Sequence, residues 1–312
     1  MDLSTVNQMK TIVSPSMVMI DDETLHQLQA ILLTILDDIV GFCEEEGISY
    51  VFSGGSALGA VRHQGFIPWD DDIDINMPRP DYDRFIATFP QRFANKYNVQ
   101  APELTPGVGT AIARVRLRDT IMRMHDDCGQ EECGIFIDIF PIENVFQNPV
   151  ARKLHGFACL ATGFLYSCRR FWRDRKFYLD FAESDAGFAC VVRTKALLGI
   201  PTAAISVERW SKIITRVYSL CKNNQSGLVA VPAGRGHYWG EMLPREVFAK
   251  SRKASFEGRT VRIPAGAEKY LEFCYGDWQR IPAPEEREHH AYLELDFGPY
   301  ALEEPKANEV SG

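Results

Sequence analysis

Residues Ser53–Ile75 read SGGSALGAVRHQGFIPWDDDIDI. Four aspartates, Asp70, Asp71, Asp72 and Asp74, fall in five positions, between the core-type run Ile67-Pro68-Trp69 and the pair Ile73 and Ile75. Ile73 and Ile75 alternate with Asp72 and Asp74, which predicts a strand over 72–76. Alternating side chains would put Asp70, Asp72 and Asp74 on one face and Asp71 on the other. Carboxylates gathered on one face repel unless a cation or an Arg neutralises them. Hard oxygen ligands at this spacing suit Mg2+ or Mn2+. The bland alternative is a solvated acidic loop, and the flanking apolar residues speak against it. An EF-hand fails. With Asp70 at loop position 1, position 6 is Ile75, where glycine is needed, and position 12 is Asp81 rather than Glu.

Upstream, ISYVFS (48–53) is a strand, Gly54-Gly55-Ser56 a turn and ALGAVRH a short helix. Such a turn lets backbone N–H groups and the positive helix end approach a phosphate. A glycine pair alone is usually only a turn; its weight here comes from lying one strand away from the aspartates. A phosphate grip beside a paired-carboxylate metal site implies phosphoryl or nucleotidyl transfer. Downstream, GIFIDIF (134–140) is an apolar strand ended by Pro141 and holding one acid, Asp138. A buried carboxylate needs a partner. The metal cluster is one choice; a salt bridge to Arg114 or Arg116, on the alternating strand 110–118, is the other. Arg62 either neutralises a donor diphosphate or pairs with the acidic strand.

Helices are expected at 22–46, stopped by Gly47, and at Asp81–Lys96. Residues 151–224 are helical in pattern, short strands return from 226, and a helix follows at 266–275. The fold expected is α+β, a nucleotidyltransferase-like mixed sheet with flanking helices and an added helical region. Its divisions are a catalytic core over 1–145, a helical region over 146–225 and a C-terminal lobe over 226–312. Apolar residues make up 46% and the formal charge is −8, so a basic nucleic-acid-binding surface is not expected. Eight cysteines without a CxxC pair read as reduced thiols of a cytoplasmic protein. His125, Cys128 and Cys133 lack the second ligand pair of a structural zinc site. The N-terminus is not a secretory signal, and no run of 18 apolar residues predicts a transmembrane helix. The uncharged run GFACLATGFLYSC enters the basic RRFWRDRK, so 156–176 is either a peripheral membrane contact or a core helix followed by a solvated basic face. The last eight or so residues are expected to be disordered.

Gly54-Gly55-Ser56, Leu58–His63, Gly65–Asp72 and Asp74 together resemble the LicD/fukutin family of the nucleotidyltransferase superfamily. The likeness runs on through Met77-Pro78-Arg79, Asp81-Tyr82, the Arg114–Thr120 strand and Gly134–Pro141. It resumes as Ile263-Pro264, Tyr270-Leu271, Tyr275-Gly276-Asp277-Trp278, Pro282 and Arg287-x-His289-His290. Residues 22–145 and 260–298 carry it; the middle matches only in being helical. The resemblance implies metal-dependent transfer of a phospho-alcohol, typically phosphocholine, from a CDP-alcohol donor to a glycan or lipid-linked glycan. Members of the eukaryotic branch transfer ribitol phosphate. It implies Asp72 and Asp74 as the metal pair, Asp70 as an auxiliary acid, Asp138 as the third carboxylate and Gly54, Gly55 and Ser56 as phosphate holders. Arg62, Arg114, Arg116, His289 and His290 are its substrate-side candidates, the two histidines as acceptor ligands or a base unless they are merely a surface pair. The gap from Ser56 to Asp72 is longer than in the general superfamily motif, though normal for this family. Three other functions share parts of this pattern. Nucleotidyl transfer would release pyrophosphate instead of CMP. A DxD glycosyltransferase would not need the glycine turn or Asp138. A non-catalytic glycan-binding descendant would be expected to have lost acids that are all present here.

Overall fold

The computed structural model describes residues 17–301 apart from 19, 126, 128, 129, 184 and 288–291. Helix α1 (Asp22–Glu46) starts where the Asp21 carboxylate accepts from the Thr24 N–H and ends at a left-handed Gly47. Its apolar residues recur at helical spacing, and Leu28, Leu32, Ile35, Leu36 and Ile39 are wholly buried. Among the described residues α1 is the one helix long and apolar enough to cross a membrane. Its buried face makes it the core helix of this fold.

A mixed sheet lies against it. Strands β1 (Val51–Phe52), β2 (Asp74–Pro78), β3 (Tyr97–Gln100), β4 (Ala113–Leu117) and β6 (Phe136–Asn144) take the order β1-β2-β6-β4-β3. The pair β2/β6 is parallel; β1/β2, β6/β4 and β4/β3 are antiparallel. Helix α2 (Gly54–Arg62) links β1 to β2, and α3 (Arg79–Arg92) leaves β2 directly. This is the α+β class, with three local differences from the sequence reading. The strand expected over 72–76 begins at Asp74, so Asp70, Asp71 and Asp72 lie on irregular backbone before it. Gly54-Gly55-Ser56 is the first turn of α2 rather than a turn preceding it. Strand β6 passes through Pro141 instead of ending there. Its ladder to β4 stops at Ile139 and its ladder to β7 (Leu228–Ala230) starts at Glu143, so Pro141 falls between the two.

After β6 come α4 (Pro149–Arg173), α5 (Arg175–Phe181), α6 (Ala186–Gly199) and α7 (Val207–Tyr218). Asn148, Asp185 and Ser206 cap α4, α6 and α7. These helices form two small cores, one around Phe171, Tyr178 and Phe188, the other around Cys159, Trp210 and Ile214. The segment 156–176 is not a continuous apolar surface. Helical periodicity turns Gly156, Cys159, Tyr166, Cys168 and Phe171 inward. Its basic end is engaged: Arg169 donates to the Ile205 carbonyl, Arg173 pairs with Asp174 and Arg175 stacks over Trp172.

The chain then returns to the sheet. Beyond β7 come α8 (His237–Gly240), β8 (Met242–Pro244) and α9 (Arg245–Phe248); the hairpin β9 (Ser251–Phe256) and β10 (Arg259–Pro264) then leads into α10 (Ala267–Tyr275), and β11 (Tyr292–Asp296) pairs with β5 (Ile121–Met124). Phe256, Val261, Tyr270, Leu271 and Tyr292 belong to the same core as α1 and the sheet. Leu32, at 0% exposure in that core, is a direct test of it. Leu32→Ala should lower unfolding free energy by about 2–5 kcal/mol, read as an earlier urea midpoint with an unchanged slope.

Candidate active site

The site assembles where β1 ends and β2 and β6 begin. In the parallel ladder Asp74 stands opposite Asp138, and in the next ladder Asp138 stands opposite Arg114. Register partners share a face, so Asp74, Asp138 and Arg114 form one row across three strands. Before β2, Asp70, Asp71 and Asp72 bring one carboxylate oxygen each within 4.8 Å of one another. Asp71 is therefore part of this cluster, not turned to an opposite face, because the backbone there is not a strand. It is also the buried member, at 3% exposure, and its Oδ2 accepts from the Tyr292 hydroxyl at 2.5 Å. Burial, followed by the charge of Asp71, pushes the Tyr292 phenol far above its ordinary range, so it stays a donor.

The first turn of α2 faces these acids. Gly54 takes a left-handed φ of 49°, and a Cβ there would stand 3.3 Å from Asp74 Oδ2. A Cβ on Gly55 would stand 2.8 Å from Asp70 Oδ2. The two glycines thus let carboxylates and a helix N-terminus share one corner, and the positive helix end favours the negative charge. Three hydrogen bonds fix the corner. Ser56 Oγ accepts from the Asp74 N–H at 2.8 Å, Tyr270 Oη accepts from the Gly54 N–H at 2.9 Å, and Ser53 N–H donates to the Asp74 carbonyl at 3.0 Å. Ser56 is buried at 2% and serves first as a clamp between α2 and β2.

Asp138 has the Arg partner that the sequence left as the rival choice: Arg114 Nε donates to its Oδ1 at 3.0 Å. It keeps its place beside Asp74, so the ion pair and membership of the carboxylate row coexist. Arg114 and Arg116 are held from behind. Both reach Asp127 Oδ1, and their guanidiniums lie 4.4 and 4.5 Å from the Phe136 ring centroid. Arg116 also donates to Gln100 and to the Gly134 carbonyl. Arg62 donates to the carbonyls of Trp278, at 2.7 Å, and Arg280, at 3.1 Å, rather than to the acidic strand, tying down the loop after α10. His289, His290 and Cys128 lie outside the described residues.

Residues 47–153 match the family model described as LicD/FKTN/FKRP, nucleotidyltransferase domain, and this span contains the glycines, every acid of the row and both core arginines. Over this span the chain is similar to the LicD/fukutin family. It is similar to the lipopolysaccharide cholinephosphotransferase LicD of Haemophilus influenzae, 28% identical over 274 residues that cover 86% of this chain and 96% of that protein. A shorter match, 49% identical over 39 residues, joins it to the ribitol 5-phosphate transferase FKRP of Homo sapiens and covers 12% of this chain and 8% of that one. The protein is a LicD-type transferase.

Two groups in this LicD-type site were not singled out from sequence. The Tyr275 hydroxyl lies 3.7 Å from the Cβ position of Gly54. Burial first, then the neighbouring Cys274 thiol and the carboxylates of Asp70, Asp74 and Asp72, hold it protonated well above the usual phenol range. Arg287 stacks over Trp69, the residue before Asp70, with its guanidinium carbon 4.1 Å from the ring centroid. Its Nε is buried without a hydrogen-bond partner among the described residues. The only sequence signal for either was the family likeness around Tyr275 and Arg287; the contacts themselves join residues about 200 positions apart and have no local pattern. The buried arginine layer gives a stability test. Asp127→Ala removes the carboxylate that Arg114 and Arg116 share and should cost about 3–5 kcal/mol in chemical unfolding.

Proposed function

We propose that this transferase moves a phospho-alcohol, phosphocholine or a close relative, from a CDP-activated donor to a hydroxyl of a glycan or glycoconjugate, with Mg2+ or Mn2+ as cofactor. The observation that carries this reading is the convergence of Asp70 and Asp74 on the side-chain-free Gly54–Gly55 entry of α2. The named activities of the Haemophilus influenzae and FKRP relatives, choline phosphate and ribitol phosphate transfer, support the phospho-alcohol class and a glycoconjugate acceptor.

The donor set of Asp72 and Asp74, with Asp70 and Asp138 beside them, is all hard oxygen and fits a divalent ion of this kind. Bound there, such an ion would polarise the donor phosphates and offset their charge. The chain's own groups do the rest. Gly54 and Gly55 leave room for phosphate oxygens against the backbone. The neutral Tyr275 hydroxyl donates a hydrogen bond without adding charge. Arg287, stacked over Trp69 and with an Nε that has no hydrogen-bond partner among the described residues, joins Arg62 as a candidate cation for the diphosphate. Arg114 fixes the orientation of Asp138. The acceptor oxygen forms a bond to the alcohol-bearing phosphorus as the bond from that phosphorus to CMP breaks; CMP leaves and the hydroxyl proton passes to solvent. The cytoplasm is the compartment we assign, supported by free thiols at Cys43, Cys159, Cys168, Cys190, Cys221 and Cys274.

Asp72→Asn and Asp74→Asn should each slow CMP release from CDP-choline about a thousandfold, roughly 4 kcal/mol of transition-state stabilisation. Wild type stripped with EDTA should be inactive and recover with Mg2+ or Mn2+. Full activity without metal, or pyrophosphate in place of CMP, would overturn the proposal. Arg287→Ala should raise KM for CDP-choline more than it lowers kcat, because its contact is with the donor in the ground state as well as the transition state.

A further inference from the structure

Helix α4 buries one face and leaves the other bare. Inward, His155, Cys159 and Tyr166 pack toward Val145, Trp210 and Ile214. Outward, Val150, Leu154 and Phe157 are 65–66% exposed, and Phe164 and Leu165 are 38% exposed. The spacing of four, three and then seven to eight residues keeps all five on a single stripe. The end of α6 extends it. Gly199 is pressed so closely on α4 that a Cβ there would stand 2.2 Å from the Cys168 carbonyl oxygen. This seats the exposed Leu197, Leu198 and Ile200 at the end of the stripe. Trp239 flanks its middle, 6.5 Å from Phe157 between ring centroids. Nine of the 15 exposed large apolar side chains among the described residues lie in this one region. A contiguous apolar surface of this kind marks an interaction site.

Charge selects the occupant. The whole chain carries −8, yet α4 has no acidic residue; of its five Lys and Arg, Arg169 and Arg173 are engaged within the protein, while Arg152 and the exposed Lys153 lie at the end where the stripe begins. Helix α6 adds the exposed Arg193, again with no acid; its Lys195 is buried against Ser167 and Phe171. The exposed Lys153 precedes Phe157 by one turn, and the exposed Arg193 precedes Leu197 by one turn, so cations border the stripe. A second copy of the chain docking through this face would set these cations against their own kind. Anionic lipid headgroups complement them, while the apolar stripe enters the acyl boundary and the lysine and arginine stems snorkel outward.

We propose that the outer face of α4, continued by the end of α6, docks on an anionic membrane surface. The face differs from the segment 156–176 suggested by hydropathy, since it begins at Val150, ends at Leu165 on α4 and recruits a second helix. It stands apart from the assigned donor chemistry and survives if that chemistry is wrong. The helix lies in the plane of the interface rather than across it, because its opposite face is part of the protein core.

Co-sedimentation of the full chain tests this with vesicles of phosphatidylcholine alone and of phosphatidylcholine mixed with phosphatidylserine. Binding should favour the mixed vesicles and fall with added salt. The double variant Leu154→Glu/Phe157→Glu should bind at least about tenfold more weakly with an unchanged melting temperature. Lys153→Glu/Arg193→Glu should abolish the preference for phosphatidylserine. Failure of wild type to bind either vesicle would overturn the proposal, as would equal binding by the Leu154→Glu/Phe157→Glu variant. A dimer in sedimentation equilibrium that this variant dissociates, without vesicle binding by wild type, would assign the face to a second copy instead.

Discussion

Five carboxylates, Asp70, Asp71, Asp72, Asp74 and Asp138, gathered at one corner of a sheet repel one another, and the surrounding structure answers that repulsion. Arg114 ion-pairs with Asp138. Tyr292 donates to Asp71. The N-terminal turn of α2 presents its positive end to Asp70 and Asp74 across two glycines. Each device handles a different acid, so the cluster persists as a charged cradle instead of collapsing into one salt-bridge network. It is on this arrangement that the proposed nucleotide donor and divalent ion rest.

The constraint also explains why the chain must come back to where it started. The glycine turn and the acids occupy residues 54–74, but the groups that fix them come from the last part of the chain. Tyr270 accepts from Gly54, Tyr275 lies beside the acids, Trp278 and Arg280 receive Arg62, Arg287 covers Trp69 and Tyr292 holds Asp71. The intervening helices build their own small cores and leave one amphipathic face outward. Chemistry therefore sits in the sheet and its returning C-terminal segment, while the insertion between them carries the surface for docking.

Much of this was legible in the sequence, for physical reasons that differ by element. Helix α1 was readable because its leucines and isoleucines obey one period over seven turns and a glycine ends it. The acids were readable as a site because charges between core residues demand compensation. Their geometry was not. Alternation of Ile with Asp looks the same whether or not a neighbouring strand supplies hydrogen bonds, and only Asp74 onward has such a ladder. The Gly54 start of α2 was hidden because glycine is a poor helix former; its position is set by hydrogen bonds to Tyr270 and Asp74. The choice between metal and Arg114 for Asp138 depended on strand register, and register placed both neighbours beside it. The strand pair β5 and β11 joins segments about 170 residues apart and leaves no local trace.

The central claim is that the α2 entry and the acids form one seat for a metal-bound nucleotide. The most direct measurement is anomalous diffraction from crystals grown with Mn2+ and CDP-choline. The account predicts a manganese peak ligated by Asp72 and Asp74, with donor phosphate oxygens against Gly54 and Gly55. Nucleotide bound elsewhere, or bound at Gly54 and Gly55 with no manganese among the acids, would contradict it.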